Sequence, residues 1–486
     1  MQKVARGIVA AGLVAGLVVA CGGGGGGNFA GIDRLGVTTG TINGFGSIIV
    51  NGVRYSTTGT TFDIDDSGSG TQADLKVGQQ VTIRWSSSDD GVTRRAETVS
   101  YDDSVEGPIA SIDLLTQSLV ILGQVVLVDG ATSFDDGISP RDLTGLSVGE
   151  FVEVSGLIDG NGAVRATRIE GVDASDDGLE VRGLIESLNT FDKTFIINGL
   201  TVDYSQVINP PALSDGLFVE VEGEAFNVGT GTLTADKVEP EDDNISGADD
   251  GDEGEVEGYI TTFASATSFT VSGVAVTTNG QTIYEDGTFD PVAANNVNIK
   301  VEVEGEVNTS GVLVARKVEF KSGDSDGDGD DDSIDGRVSG NVAGTPGATT
   351  FSVAGVTVTV SAETRFEDQT GAVDQGFGLD DINAGDYVEV RGAPGTGAAL
   401  TAIIVERDDA SAEGLLRGAA SSIASPNLSV LGVPVITNGG TQFRDSADNA
   451  ITSGAFFLAV ADGSEVQVKF TQGGGTIVAD EIELED

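Results

Sequence analysis

The sequence predicts an all-β chain of six tandem, small, five-stranded barrels of OB-like Greek-key type, set behind an N-terminal apolar leader and a glycine tether. Three observations predict it. The 486 residues hold 71 glycines but only 6% aromatics, which is lean for one large core and suits many small β units with tight turns. Four short phrases recur in a fixed order along the chain. The only cysteine, Cys21, ends an apolar N-terminal run.

In that run, Lys3 and Arg6 form a short positive region, and residues 7–20 are apolar or glycine. It is too short to span a bilayer and has the flanks of a secretory signal. Val18-Val19-Ala20-Cys21 resembles the bacterial lipobox. The resemblance implies that residues 1–20 are a signal peptide and that Cys21 carries lipid on its sulfur and its new amino group. Residues 21–30 then make the lipidated cysteine and a flexible tether, with Gly22 to Gly27 unbroken. The expected partner of this end is a membrane, held through acyl chains. Gly22 stands where an aspartate is associated with inner-membrane retention, so the expected location is the outer membrane.

The first phrase is apolar alternation around a glycine, as in Phe195-Ile196-Ile197-Asn198-Gly199-Leu200-Thr201-Val202 and Phe351-Ser352-Val353-Ala354-Gly355-Val356-Thr357-Val358. It predicts a β-hairpin. The second is Thr-x-Phe or Thr-x-Tyr, at Thr60, Thr132, Thr282, Thr364 and Thr441; the third unit has Val207-Ile208-Asn209-Pro210-Pro211 instead. The third is Leu-x-x-Gly followed by a strand such as Val152-Glu153-Val154, with Asn298 replacing the glycine in the fourth unit. Period two there places valines inward and glutamates outward, in solvent. The fourth phrase closes each unit on a recurring alanine, Ala96, Ala166, Ala235, Ala315, Ala402 and Ala479, which suggests a crowded core position.

This order gives about five strands in roughly 60 to 75 residues, the size of a small Greek-key barrel. An immunoglobulin-like sandwich needs about seven strands and about 100 residues, and a solenoid needs shorter, more even repeats. The units fall at residues 31–101, 102–172, 178–239, 255–320, 333–408 and 412–486. The hairpin, Leu-x-x-Gly-x-x-Val-x-Val and closing phrases resemble domain of unknown function family 5666. The resemblance implies a β-barrel-like fold and an envelope location, and it supplies no catalytic residue.

Two acidic segments separate units. Residues 240–254 are expected to be a solvated, self-repelling hinge. Residues 321–332 form a second linker. From Asp324, acids fall at loop positions 1, 3 and 5 (Asp324, Asp326, Asp328), glycine at 6, and Asp330, Asp332 and Asp335 at 7, 9 and 12. That spacing is the one by which an EF-type loop wraps oxygens around calcium. Asp331 at position 8 and Asp rather than Glu at position 12 depart from it, and a plain linker is the other reading.

The formal charge is −52, with 77 acidic and 25 basic residues and no histidine. Such a surface repels phosphate backbones, so nucleic acid is not an expected partner. Histidine-based triads and zinc sites built on His or Cys are excluded. Trp85, Phe45, Tyr55, Tyr204 and Tyr387 are read as core or barrel-mouth packing ahead of sugar-stacking platforms. The expectation is a non-enzymatic, envelope-anchored structural or interaction arm. The alternative is a module that binds an envelope glycan or cationic peptide on OB-like grooves, with calcium as the one candidate cofactor.

Overall fold

The computed structural model describes residues 34–64, 69–87, 94–172, 178–240, 245, 248–321, 336–370, 376–473 and 475–485. The first unit sets the pattern, with β1 (Leu35–Gly44), β2 (Ile48–Val50), β3 (Val53–Ser56), β4 (Thr61–Ile64), β5 (Gln80–Ser87) and β6 (Arg94–Tyr101). β1 pairs antiparallel with β2 and β5, β2 with β3, and β5 with β6, while β3 runs parallel to β6. The ring therefore closes as β1-β2-β3-β6-β5-β1. β4, built from the Thr-x-Phe phrase, lies outside it and parallel to β6. Closure leaves the ring no free edges. The alternating valines point inward, as Val81, Val152, Val154, Val219, Val221, Val301, Val303, Val388, Val390, Val466 and Val468 are all buried.

Units two, four and six close in the same way, and unit five closes through a single bridge, Val342 to Val353. Unit three keeps the ring order, but its long strands are each broken in two, and among the described residues it has no outer strand.

The repeated phrases each have a local cause. The hairpin turns place two successive residues at positive φ, for example Asn51 (50°) with Gly52 (72°) and Leu122 (46°) with Gly123 (79°). That is the primed turn whose twist matches the flanking strands. The Leu-x-x-Gly turn ends at positive φ and ties back to the opening strand, with Gly78 N–H donating to the Ile42 carbonyl at 2.9 Å and Gly149 N–H to Ile109 at 2.8 Å. Asn298 does the same at φ 70°, a conformation asparagine tolerates, and donates to Ile260 at 2.9 Å.

The recurring alanine marks a β-bulge in the closing strand, where the register slips between Arg84 and Trp85 in unit one and between Arg391 and Gly392 in unit five. A bulge leaves a backbone group off the ladder. The threonine of the second phrase reaches it: Thr60 donates to the Ala96 carbonyl at 2.7 Å, Thr132 to Ala166 at 2.8 Å and Thr282 to Ala315 at 2.7 Å. Thr364 to Ala402 at 2.8 Å and Thr441 to Ala479 at 2.7 Å complete the series. Opposite the bulge, Gly156 has no room for a side chain, since a Cβ there would lie 2.5 Å from the Arg165 carbonyl oxygen.

The units are joined, not strung in series. Val105–Asp113 of unit two pairs antiparallel with Leu179–Leu184 of unit three, and Gly336–Asn341 of unit five with Glu413–Ala424 of unit six. One apolar cluster runs through units two and three and another through five and six. β1 runs parallel to Glu253–Ser265, the opening strand of unit four, far along the chain.

The hinge expected at residues 240–254 is also different. Ile245 is 1% exposed inside the unit-four core, Gly251 N–H donates to the Val307 carbonyl at 2.8 Å, and a strand has begun by Glu253. Burial of that one isoleucine, worth about 1.5–3 kcal/mol, ties the described part of the segment to unit four.

Candidate functional site

Joining the barrels covers their outer faces, and that corrects the reading of the glutamates. They do point out of the barrels, but Glu220 and Glu302 of the Val-Glu-Val strands are 4% and 6% exposed, and Glu106, Glu255, Glu257, Glu367 and Glu406 are also buried. Buried charge is tolerated when paired, and the scarce cations are concentrated at these places.

The junction of units two and five is the densest. Arg168 on the closing strand of unit two donates to Glu170 Oε1 at 2.6 Å and to the Val77 carbonyl of unit one at 3.2 Å. Its Nη1 also lies 3.6 Å from Glu367 Oε2 of unit five. The Ser133 hydroxyl donates to the same Glu367 carboxylate. Arg365 donates to the Thr167 carbonyl at 3.0 Å, and Arg391 donates to the Thr132 carbonyl at 2.8 Å and to Glu406 Oε2 at 3.0 Å. Burial pushes the Glu367 carboxyl up to about 7; Arg168 opposes the shift and nearby Glu406 adds to it.

Units one and four meet over an aromatic cage. The Arg94 guanidinium lies 4.3 Å from the Trp85 ring centroid, donates to the Tyr55 hydroxyl at 2.9 Å and reaches Glu255 Oε2 at 3.3 Å. Asn51 donates to the other Glu255 oxygen at 3.1 Å. Burial, and then the Glu255 charge, raises the Tyr55 phenol above its ordinary value. Nearby, Lys321 of unit four binds Glu302 at 2.8 Å and Glu363 of unit five at 3.0 Å. Burial pushes Glu302 up to about 7 against the pull of Lys321. Asn298 holds units two and four together, its Oδ1 accepting from the Gly160 N–H at 2.7 Å.

These groups neutralise one another and hold faces in register. The sequence carried a signal for them, because a basic side chain at an outward strand position is rare where only 25 Lys and Arg serve 486 residues.

One open concavity has a different chemistry. A groove of about 630 Å³ on unit four lies between the end of Glu253–Ser265, the Ser268–Val271 and Val274–Thr277 hairpin, and the loop at 308–312. Thr262, Phe263, Thr267, Thr270, Thr277 and Asn308 line it, and none of its lining residues is charged.

Of the residues singled out from sequence, Cys21 and Asp324, Asp326, Asp328, Asp330, Asp332 and Asp335 lie outside the described residues. Among the described residues no group of three or more Asp, Glu, His or Cys is placed to hold a metal ion. Trp85, Phe45, Tyr55 and Tyr204 are buried packing residues, and Tyr387 is half-buried with its hydroxyl 3.0 Å from Ser339 Oγ.

No curated protein matches the chain. The family described as a domain of unknown function, DUF5666, matches at residues 36–100, 106–170, 182–239, 257–319, 335–406 and 417–483. Those ranges follow the six rings and take in most of the chain, and the protein belongs to the DUF5666 family as a tandem array of six copies.

Proposed function

We propose that the protein is a non-enzymatic lipoprotein of the bacterial envelope, anchored through Cys21, whose repeats build a structural or interaction scaffold. The observation that carries the reading is the fusion of the repeats through shared strands and buried ion pairs such as Arg168–Glu367 and Arg94–Glu255. Repeats that invest their few cations in mutual junctions make one broad acidic surface rather than six separate binders. The lipobox-like Val18-Val19-Ala20-Cys21 and the glycines after it support the anchor and an outer-membrane location.

Small-angle scattering together with detergent-phase partition tests this. One compact particle, and partition that disappears in Cys21→Ser, are expected; a string of separate domains or unchanged partition overturns the reading.

The unit-four groove favours a second reading, glycan binding. Hydroxyls, one amide and the Phe263 ring, without charge, suit a neutral sugar better than a cationic peptide. Titration with envelope polysaccharide, followed by Phe263→Ala, checks it.

A further inference from the structure

Unit three lacks something its five siblings have. In each sibling an extended segment lies parallel along the second half of the closing strand. These are Thr61–Ile64 beside Thr98–Tyr101, Ser133–Phe134 beside Arg168–Ile169, and Ile283–Glu285 beside Lys317–Glu319. Arg365–Asp368 beside Ile404–Arg407 and Gln442–Arg444 beside Glu481–Glu483 complete the set. Each segment brings an aromatic ring (Phe62, Phe134, Tyr284, Phe366 or Phe443) opposite an apolar residue of the closing strand, and each is preceded by the threonine that holds the bulge carbonyl.

In unit three the corresponding turn ends in Val207, whose N–H donates to the Tyr204 carbonyl at 3.2 Å and whose side chain has no hydroxyl. Asn209 then turns to φ 57°, and Pro210 and Pro211 have no N–H to give a ladder. The equivalent part of the closing strand, Lys237–Pro240, pairs with Phe218–Gly223 on one side, and among the described residues no strand lies on the other. Val238 holds the position that faces the aromatic in the siblings, while Glu239 and Pro240 are exposed.

We propose that this edge accepts an extended segment of a partner protein, added in parallel, carrying threonine, an aromatic residue two positions later, and a basic residue next. This rests on the scaffold reading and names the partner's chemistry. The sibling units supply the register, and strand addition to an open edge supplies main-chain hydrogen bonds. Charge supplies the basic residue. The edge bears exposed Asp236 and Glu239 and one cation, Lys237, whose Nζ lies 3.3 Å from Glu239 Oε2. In unit six the residue after the aromatic is Arg444, which stands opposite Glu483 of the closing strand, the place that Glu239 holds in unit three.

The test is fluorescence anisotropy of the full chain with a labelled peptide, Ser-Lys-Thr-Gln-Phe-Arg-Lys, against its scrambled form. The ordered peptide is expected to bind at least about tenfold more tightly, a difference of about 1.4 kcal/mol. Filling the slot in cis with Val207→Thr, Asn209→Phe, Pro210→Glu and Pro211→Asp is expected to remove that preference with the fold retained. Glu239→Lys, at an exposed position, is expected to weaken the peptide severalfold and keeps the test sharp if the four-residue variant does not fold. Equal binding of ordered and scrambled peptide, or unchanged binding in the folded variants, overturns the proposal. So does a dimer that forms without peptide and vanishes when the slot is filled, since the occupant would then be a second copy. A compact particle in scattering that ignores the peptide removes this inference alone, whereas an extended particle removes the scaffold reading.

Discussion

Thr364 and Ala402 stand 38 residues apart in different phrases of the repeat, and the hydroxyl of one donates to the backbone carbonyl of the other at 2.8 Å. The two recurrences are one device: alanine marks the bulge, and threonine satisfies the carbonyl the bulge frees. Valine in place of threonine keeps the shape and removes the donor. Thr364→Val is expected to cost about 1–3 kcal/mol, the penalty of an unsatisfied buried acceptor. Urea unfolding with an unchanged slope and a lower midpoint confirms it; an unchanged midpoint rejects it.

The junction of units two and five should loosen as pH rises. A carboxyl raised to about 7 in the folded chain, from an ordinary value of 4.5, holds its proton more tightly folded than unfolded. Its stabilising contribution is therefore present at low pH and is lost as pH climbs from about 4.5 through about 7. Arg168, Arg391 and Glu406 face Glu367 there, and only the Glu367 part should disappear in Glu367→Gln. Melting curves from pH 5.5 to 8.5 are expected to converge at low pH and separate at high pH, the variant being the more stable; parallel curves reject the idea.

Arg94 is the cation that makes the contact of units one and four tolerable. Arg94→Met leaves Glu255, 6% exposed, with an uncompensated charge, and the expected loss is about 3–5 kcal/mol. Adding Glu255→Gln should recover most of it, which a double-mutant cycle in denaturant reads directly. Additive losses would mean that the pair is not coupled.

If the Asp324 to Asp335 spacing is a calcium loop and not a plain linker, calcium is expected to bind with a dissociation constant on the order of 10⁻⁴ to 10⁻³ M, the range of extracellular modules. Calorimetry is expected to show heat that falls in Asp328→Asn. Absence of calcium heat in the intact chain would leave that segment a linker.

Much of the fold was readable in the sequence because barrels this small are written in short-range signals. Period two gave the inward valines, alternation around a turn glycine gave the hairpins, and Val207 with its two prolines marked where unit three departs from the others. Which units meet at the junctions was not readable, although the scarce basic residues at outward strand positions marked the faces involved. Period two says that Glu220 and Glu302 face away from their own cores, but not whether a neighbour lies outside. The pairing of β1 with Glu253–Ser265 has no local cause, since its partners come from repeats separated by two others. Ile245 shows the limit of composition: in a segment that is acidic on average, its one large apolar residue is buried in the unit-four core.

The pattern of shared strands also bears on how such an array can lengthen or shorten. Units two and three, and units five and six, are neighbours in the chain and mates in space, so duplication or deletion of a whole pair leaves no orphaned strand. Unit one has its mate three repeats away. Loss of any single repeat would strip a companion of its covered face, exposing carboxylates that have lost their cations. Loss of a whole pair is costly as well, because without units two and three the Glu367, Arg365 and Arg391 side chains of unit five lose the partners they find in unit two, so the array should resist paired as well as single loss.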